Sequence, residues 1–546
     1  MLAAVGSRGL TVRLQNIDRS ADATLNQAAT VARPVAEAGI LPDRRTAGVC
    51  MHITSLPGPY GIGEIGHHAL EFIDTMQHMR LGVWQFLPTG PTAYGDSPYQ
   101  PLSSFAGNEL LIDIGDLVVR GFLSEDEVAE LKTLPARYVD YGKLIPIKSQ
   151  LLNRAARRFG AKAKAELKAE FDAFLERHDQ AWLHDYALFR ILKSGHGERP
   201  WPEWQPEYVY REEQAIRRLE ASAAEQIEWI KIIQCLFHCQ WQRLRDYARD
   251  RGVMLFGDMP IYIALDSADA WARRELLKID AAGRPEAVAG VPPDYFSEEG
   301  QLWGNPLYDW NTHAASGYRW WIDRLQSAAD LTDIVRIDHF RGFEAYWSVP
   351  ANSQTAKNGA WLPGAGDDLF DAMRDALGNL PIVAEDLGVI TPEVEALRDR
   401  HHIPGMHVLQ FDVTDPNFDL VNVDVNSVCY TGTHDNDTTI GWFRGSPGDM
   451  RTHEEIRRHQ AAALAVTGGT AETIHQDMIR AAFSTPARLA IAPLQDYLGL
   501  GSEARINTPG TSSENWRWRV LDTQLSDQLC DTVASMVEAS GRAQPG

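Results

Sequence analysis

Asp333-Ile334-Val335-Arg336-Ile337-Asp338-His339-Phe340-Arg341-Gly342-Phe343 is a short apolar run that delivers an arginine and a carboxylate two residues apart. Two is the period of a strand, so Arg336 and Asp338 point to one face while Val335 and Ile337 point to the other. Both charges then share one cavity. A charge is costly to bury unless paired, which leaves two readings: a structural ion pair, or a carboxylate nucleophile held ionised by its neighbour.

Seven further runs of the same kind accompany it: Gly48–Thr54, Val83–Pro88, Val253–Pro260, Ile382–Leu387, Met406–Phe411, Val428–Thr433 and Arg488–Leu494. Near-continuous apolar runs mark strands covered on both faces, and helix-forming sequence lies between many of them. Eight such strands with helical crossovers predict a (β/α)8 barrel, with an open doubly wound sheet as the alternative. The spacing is uneven. Between Pro88 and Val253 the sequence is mostly helical in pattern, from the Ser124-Glu125-Asp126-Glu127 cap to a long amphipathic stretch ending near Arg251. The expected organisation is therefore a catalytic barrel over residues 47–110 and 252–546, with a mainly helical inserted subdomain over 111–251. Residues 1–46, patternless and poor in large apolar side chains, read as a poorly ordered extension, with a transit peptide as the alternative.

The 546 residues carry 52 Lys+Arg against 74 Asp+Glu, a formal charge of −22. Such a surface repels phosphate backbones and anionic membranes, so nucleic acid and lipid are excluded as partners and a neutral substrate fits. No apolar run reaches membrane-spanning length. Sixteen Trp and sixteen Tyr supply rings for stacking on flat or cyclic ligands. Five cysteines, Cys50, Cys235, Cys239, Cys429 and Cys530, have no disulfide-framework spacing and indicate a reducing, cytoplasmic compartment. Cys235, His238 and Cys239 sit at i, i+3 and i+4 of a helix; without a second ligand pair nearby they read as a packing seam, not a metal site.

In a barrel the residues that close each strand converge at one end. Here they are Asp258, Arg336, Asp338, Glu385, Asp386, His434 and Asp435. A single acid at a strand end is usually a cap, but acids on several strands are harder to explain that way. Three in one cavity raise one another's pKa, which suits a reaction needing one protonated and one ionised carboxyl. Glycosidic bond cleavage with retention needs that pair about 5 Å apart. Arg336 favours Asp338 as the ionised member; Glu385, carried on an apolar strand and longer in reach, is expected as the protonated one. Of Glu385 and Asp386, only one can face inward.

Two competing motifs fail. Gly61-Ile62-Gly63-Glu64-Ile65-Gly66 fits the dinucleotide pattern, but Pro57 and Pro59 hold its approach open and the next strand ends in Pro88 without a ribose-binding acid. His434-Asp435-Asn436-Asp437 lacks a supporting histidine pair for a metal.

Several longer motifs, in order, now carry a resemblance: Gly95–Gln100 (GDSPYQ), Gly257–Tyr262 (GDMPIY), Val291–Ser297 (VPPDYFS), Gly300–Pro306 (GQLWGNP), Arg336–Gly342 (RIDHFRG), Ala384–Gly388 (AEDLG) and Gly432–Asn436 (GTHDN). From about Gly48 to Arg519 the chain resembles the 4-α-glucanotransferases of the amylomaltase type, glycoside hydrolase family 77. The resemblance implies a (β/α)8 barrel with helical insertions that cuts an α-1,4-glucan, holds the glycosyl piece as a covalent ester and passes it to the 4-hydroxyl of another glucan or of glucose. By position it implies Asp338 as nucleophile, Glu385 as acid/base and Asp435 as the carboxylate steadying the transition state. It further implies sugar contacts at Arg336, His339, His434, Asp258 and Tyr99, and at Asp294, Tyr295, Trp303, Gly304 and Asn305. No metal or organic cofactor is implied; the expected partners are malto-oligosaccharides and glucose.

The stretch Val291–Pro306 reads as a loop, stiffened by Pro292-Pro293, hinged at Gly300 and Gly304 and carrying Tyr295, Phe296 and Trp303. It could close over the glucan and shield the ester from water; the alternative is a long loop held by aromatic packing. Departures from the family pattern are Glu109, Ile506, Glu514 and the proline-free Ala272–Lys278, none of which touches the three acids. An α-glucan hydrolase and a non-catalytic glycan-binding protein are the rival readings. Retention of all three acids disfavours the second.

Overall fold

The computed structural model describes residues 41–92, 94–293, 298–378, 382–446, 449–511 and 514–544. Most of the predicted extension therefore lies outside the described residues, as do Asp294 and Tyr295. The described chain forms strands β1 (Thr46–Cys50), β2 (Val83–Gln85), β3 (Met254–Pro260), β4 (Ala287–Val291), β5 (Gln301–Pro306), β6 (Ile334–Asp338), β7 (Ala345–Pro350), β8 (Ala360–Pro363), β9 (Ile382–Ala384), β10 (Gly405–Val408), β11 (Ser427–Tyr430) and β12 (Leu489–Pro493).

Each of the eight apolar runs becomes a strand of one parallel sheet, ordered β10-β11-β12-β1-β2-β3-β6-β9. That order is the chain order cyclically permuted, with no reversal of the kind a doubly wound sheet has. The two end strands meet where Ala384 N donates to Pro404 O at 2.8 Å. The architecture is a (β/α)8 barrel.

Alternation sorts the strand residues as expected. Ile334 joins Phe256, Val383, Val408, Val428, Tyr430 and Ile491 in the barrel interior. Val335 and Ile337 face outward and pack with Trp321, Leu325 and Leu369 from the surrounding helices. By the same parity Arg336, Asp258 and Glu385 belong to the interior set, at its polar end.

Between β2 and β3 the long helices Tyr141–Lys162, Ala165–His178, His184–Gly195 and Ala224–Asp250 pack over one side. Cys235 is fully buried on the last of these, its Sγ 3.7 Å from that of Cys239. The glycine motif at 61–66 serves close packing: a Cβ on Gly63 would fall 1.9 Å from Ile53 O. Within it Glu64 pairs with the fully buried Lys148 of the helix Tyr141–Lys162.

Val291–Pro306 is not simply a loop. Its ends are strands of a second, antiparallel sheet ordered β5-β4-β7-β8, in which Val291 pairs with Gln301 and Gly290 with Leu302. Gly304 (φ +78°) and Pro306 within β5 hide the strand from pattern reading; β5 pairs with β4, and β4 in turn with β7, far away in sequence.

The opposite end of the barrel is closed by Arg542, which is fully buried. Its guanidinium donates to Phe483 O (2.8 Å), Thr485 O (2.7 Å), Ala487 O (2.9 Å) and Thr46 O (3.3 Å), pinning the entries of β1 and β12. Arg542→Ala removes a buried donor from Thr485 O and Ala487 O, while Phe483 O keeps Arg45, so unfolding should need roughly 3 kcal/mol less. The expected readout is a lower denaturant midpoint with little change in turnover at low temperature, because the latch lies at the end remote from the strand C-termini.

Candidate active site

Asp258 and Arg336 are direct neighbours in the β3–β6 ladder, and Pro260 is opposite Asp338. Arg336 Nη1 donates to both oxygens of Asp258 at 2.8 Å, and Nη2 to Asp338 Oδ1 at 3.0 Å. One guanidinium thus bridges two carboxylates. The Asp258 side chain is 1% exposed and that of Asp338 29%, so the first is structural in its surroundings and the second faces the open cavity. The bridge continues outward. Tyr99 Oη donates to Asp258 Oδ2 at 2.7 Å, and the Tyr99 ring stacks on His434 at 5.0 Å. His434 Nε2 lies 3.4 Å from Asp435 Oδ1.

On the other side of β6, Ile337 pairs with Ala384 and Glu385 N donates to Ile337 O at 2.9 Å, which brings Asp338 and Glu385 to adjacent strand ends. The chain leaves β6 through His339 in the left-handed region (φ 55°). That turn aims His339 N at Glu385 Oε2 (2.7 Å), while Leu387 N donates to Oε1 (3.1 Å). Asp386 points the other way, accepting from Arg398 at 2.5 Å and from Met406 N at 2.8 Å. The inward acid of the pair is Glu385.

Burial raises the carboxyl of Glu385 to about 7, and the nearby charge of Asp338 adds to the rise against the opposing pull of Arg336 and the two backbone N–H groups. Burial also raises Asp338, but Arg336, in direct contact, opposes it most strongly. In this coupled pair the guanidinium contact makes Asp338 the acid that ionises first, and the remaining proton stays on Glu385. Burial and the neighbouring Arg341 charge lower the His339 ring to about 3, so it is neutral.

Trp303 meets the His339 ring edge-to-face at 4.8 Å, which brings β5 to the cavity wall. Gly304 follows it with open space where a side chain would be. Asn305 is turned away: its amide donates to Ile263 O (2.9 Å) and exchanges hydrogen bonds with Gln100, tying β5 to the Gly95–Gln100 segment. Asp258, Tyr99, Arg336, Asp338, Glu385, His339, His434, Asp435 and Trp303 therefore form one connected set.

Three side chains of this region were not legible beforehand. Asn507 Nδ2 donates to Asp435 Oδ1 at 2.6 Å, and Arg505 donates to Asp435 O at 2.7 Å. His52 lines a cavity of about 20 Å³ behind His434. The first two lie in irregular chain with no periodicity to single them out, and His52 looks like any polar residue closing a strand.

The 4-alpha-glucanotransferase family model matches residues 51–524. The chain belongs to the 4-alpha-glucanotransferase family. A 4-alpha-glucanotransferase of Thermus thermophilus is 46% identical over 504 residues, covering 91% of this chain and 99% of that protein. One from Synechocystis sp. is 44% identical over 507 residues, covering 92% and 98%. Among solved structures, an amylomaltase from Streptococcus agalactiae in complex with acarbose superposes with a TM-score of 0.86 at 35% identity, covering 92% of this chain and all of that one. This 4-alpha-glucanotransferase is a transferase enzyme, and an α-glucan is the substrate expected of its cavity.

Removing Arg336 would leave Asp258 charged, buried and unpaired. Arg336→Met should cost roughly 3–5 kcal/mol of stability. Adding Asp258→Asn should restore a substantial part of it in denaturant titrations, whereas turnover stays low in both variants. Additive losses would mean that the two side chains are not a coupled pair.

Proposed function

We propose that the enzyme works by a retaining, two-step displacement. Asp338 Oδ attacks the anomeric carbon of an α-1,4-linked glucosyl unit while Glu385 gives its proton to the departing 4-oxygen. The glycosidic C–O bond breaks as the ester C–O bond forms. Glu385, now a carboxylate, takes the proton from the 4-hydroxyl of a second glucan or of glucose, and that oxygen displaces Asp338. The observation that carries this reading is the asymmetry of the two acids: Arg336 contacts Asp338, whereas Glu385 has only backbone donors and a carboxyl raised to about 7.

Asp435, held by Asn507, would bind hydroxyls of the reacting sugar, with His434, Tyr99, Asp258 and Arg336 fixing its position. Trp303, and with it Gly304 and His339, would border the glucan on the β5 side. Malto-oligosaccharides serve as donors and acceptors, and glucose as the smallest acceptor. A cytoplasmic location suits cysteines that stand as free thiols, such as Cys50 and Cys429. Among the described residues no helix is long and apolar enough to cross a membrane.

Incubation with maltotriose alone should yield a ladder of longer malto-oligosaccharides plus glucose, with no net gain in reducing ends; glucose and maltose alone would make the enzyme a hydrolase. Asp338→Asn should lower turnover by several orders of magnitude while glucan binding persists. Glu385→Gln should lose far more on glucans than on a glycosyl fluoride, whose leaving group needs no proton.

The acid form of Glu385 is required for the first step. With its carboxyl raised to about 7, kcat/KM should fall about tenfold per pH unit once pH passes that value. On the fluoride, whose departure needs no proton, the wild-type enzyme should show no such limb. A flat profile to pH 9 on a glucan would remove Glu385 from the acid role.

A further inference from the structure

All sixteen tryptophans are among the described residues, and Trp361 alone is exposed, at 37%. It stands on β8, the edge strand of the antiparallel sheet. Despite its exposure the ring is held on several sides. The Arg341 guanidinium lies against it, 3.8 Å from the ring centroid. Trp347, its ladder partner on β7, meets it edge-to-face at 5.2 Å. Arg341 is itself buried, and its Nη1 donates to Val389 O in the segment that leaves β9 past Glu385. Val389 is exposed beside this contact.

An indole that is fixed in orientation and still open to solvent suits a ligand with a flat apolar face. The C–H face of a glucose ring is such a ligand, and stacking on it needs no charge. The location specifies which glucose. The leaving sugar departs from the Glu385 side, and the acceptor enters the place it vacates, so the rim beyond Glu385 belongs to the acceptor. Trp361 is joined to that rim through Arg341 and Val389.

We propose that Trp361 is an acceptor-side platform for an α-1,4-glucan, stacking a sugar unit beyond the one that carries the attacking 4-hydroxyl. This inference rests on the acid/base role given to Glu385 above. It makes Trp361 a determinant of acceptor length: glucose is too short to reach the platform, whereas a malto-oligosaccharide covers it. Arg341 acts as the positioning residue that keeps the ring in place.

The test uses α-maltotriosyl fluoride as a constant donor, with glucose or maltotetraose as acceptor, for the wild-type enzyme, Trp361→Phe and Trp361→Ala. For Trp361→Ala the KM of maltotetraose should rise about three- to tenfold, the size of one aromatic stacking contact, and the preference for maltotetraose over glucose should fall by a similar factor. Trp361→Phe should retain most of that preference. Equal losses with both acceptors would make Trp361 a structural residue only, and unchanged kinetics would remove it from the substrate path; either result overturns the proposal. If the wild-type enzyme passes maltotriosyl to neither sugar, the transferase reading itself falls, and the platform with it.

Discussion

A single guanidinium shared by two carboxylates is the constraint on which the site depends. Arg336 bonds Asp258 through one nitrogen and Asp338 through the other, and the planar fork permits both only when β3 and β6 keep their register. Such an arrangement is a poor source of stability, since two buried ionised groups and a half-buried third must be desolvated. Its value is geometric. The side chain of Asp258, almost sealed from solvent, anchors the arginine from below, so the guanidinium presents its remaining face to Asp338 without having to move. From Asp258 the same network reaches Tyr99, His434 and Asp435, which lie on loops that would otherwise be free to drift.

The two acids at adjacent strand ends are chemically alike, and their neighbours make them different. Both are raised by burial. Asp338 has a full positive charge at hydrogen-bond distance, whereas Glu385 has partial charges from two peptide N–H groups. One of these peptides belongs to His339, whose left-handed backbone is unusual for a residue with a side chain and turns the N–H toward the carboxylate. Local strain at the exit of β6 is thereby converted into a fixed acceptor position for the acid on β9.

The barrel was readable from sequence because its strands are buried on both faces, and burial leaves continuous apolar runs whose polar ends mark the cavity. The boundaries shifted where apolarity outlasts the strand: Met406–Phe411 ends as a strand at Val408, and Leu409 begins a short helix that is equally apolar. Parity on β9 does not by itself choose between Glu385 and Asp386, since either satisfies alternation; Glu385 is expected as the acid, and the partners of both side chains turn it inward. The antiparallel sheet was invisible for a different reason. Its strands carry Gly290, Gly304, Pro306, Pro350 and Pro363, face solvent in part, and are joined into one sheet by the β4–β7 pairing between segments distant in sequence, so local pattern carries little of the information. Asn507 escaped for want of any pattern, its role being set by where its loop ends.

The antiparallel sheet also bears on the site itself. β4 and β5 grow from the loop after β3, and β7 and β8 from the loop after β6, so the strands that carry Asp258 and Asp338 each send out one half of it. The halves are joined by four consecutive pairs from Ala287↔Pro350 to Gly290↔Trp347. A slip of one residue between β3 and β6 would turn Arg336 out of the barrel, because side-chain direction alternates with every step. The β4–β7 ladder lies outside the barrel and answers to different side chains, so it ties the loops after β3 and β6 to each other beyond the strand ends that carry the carboxylate–arginine bridge.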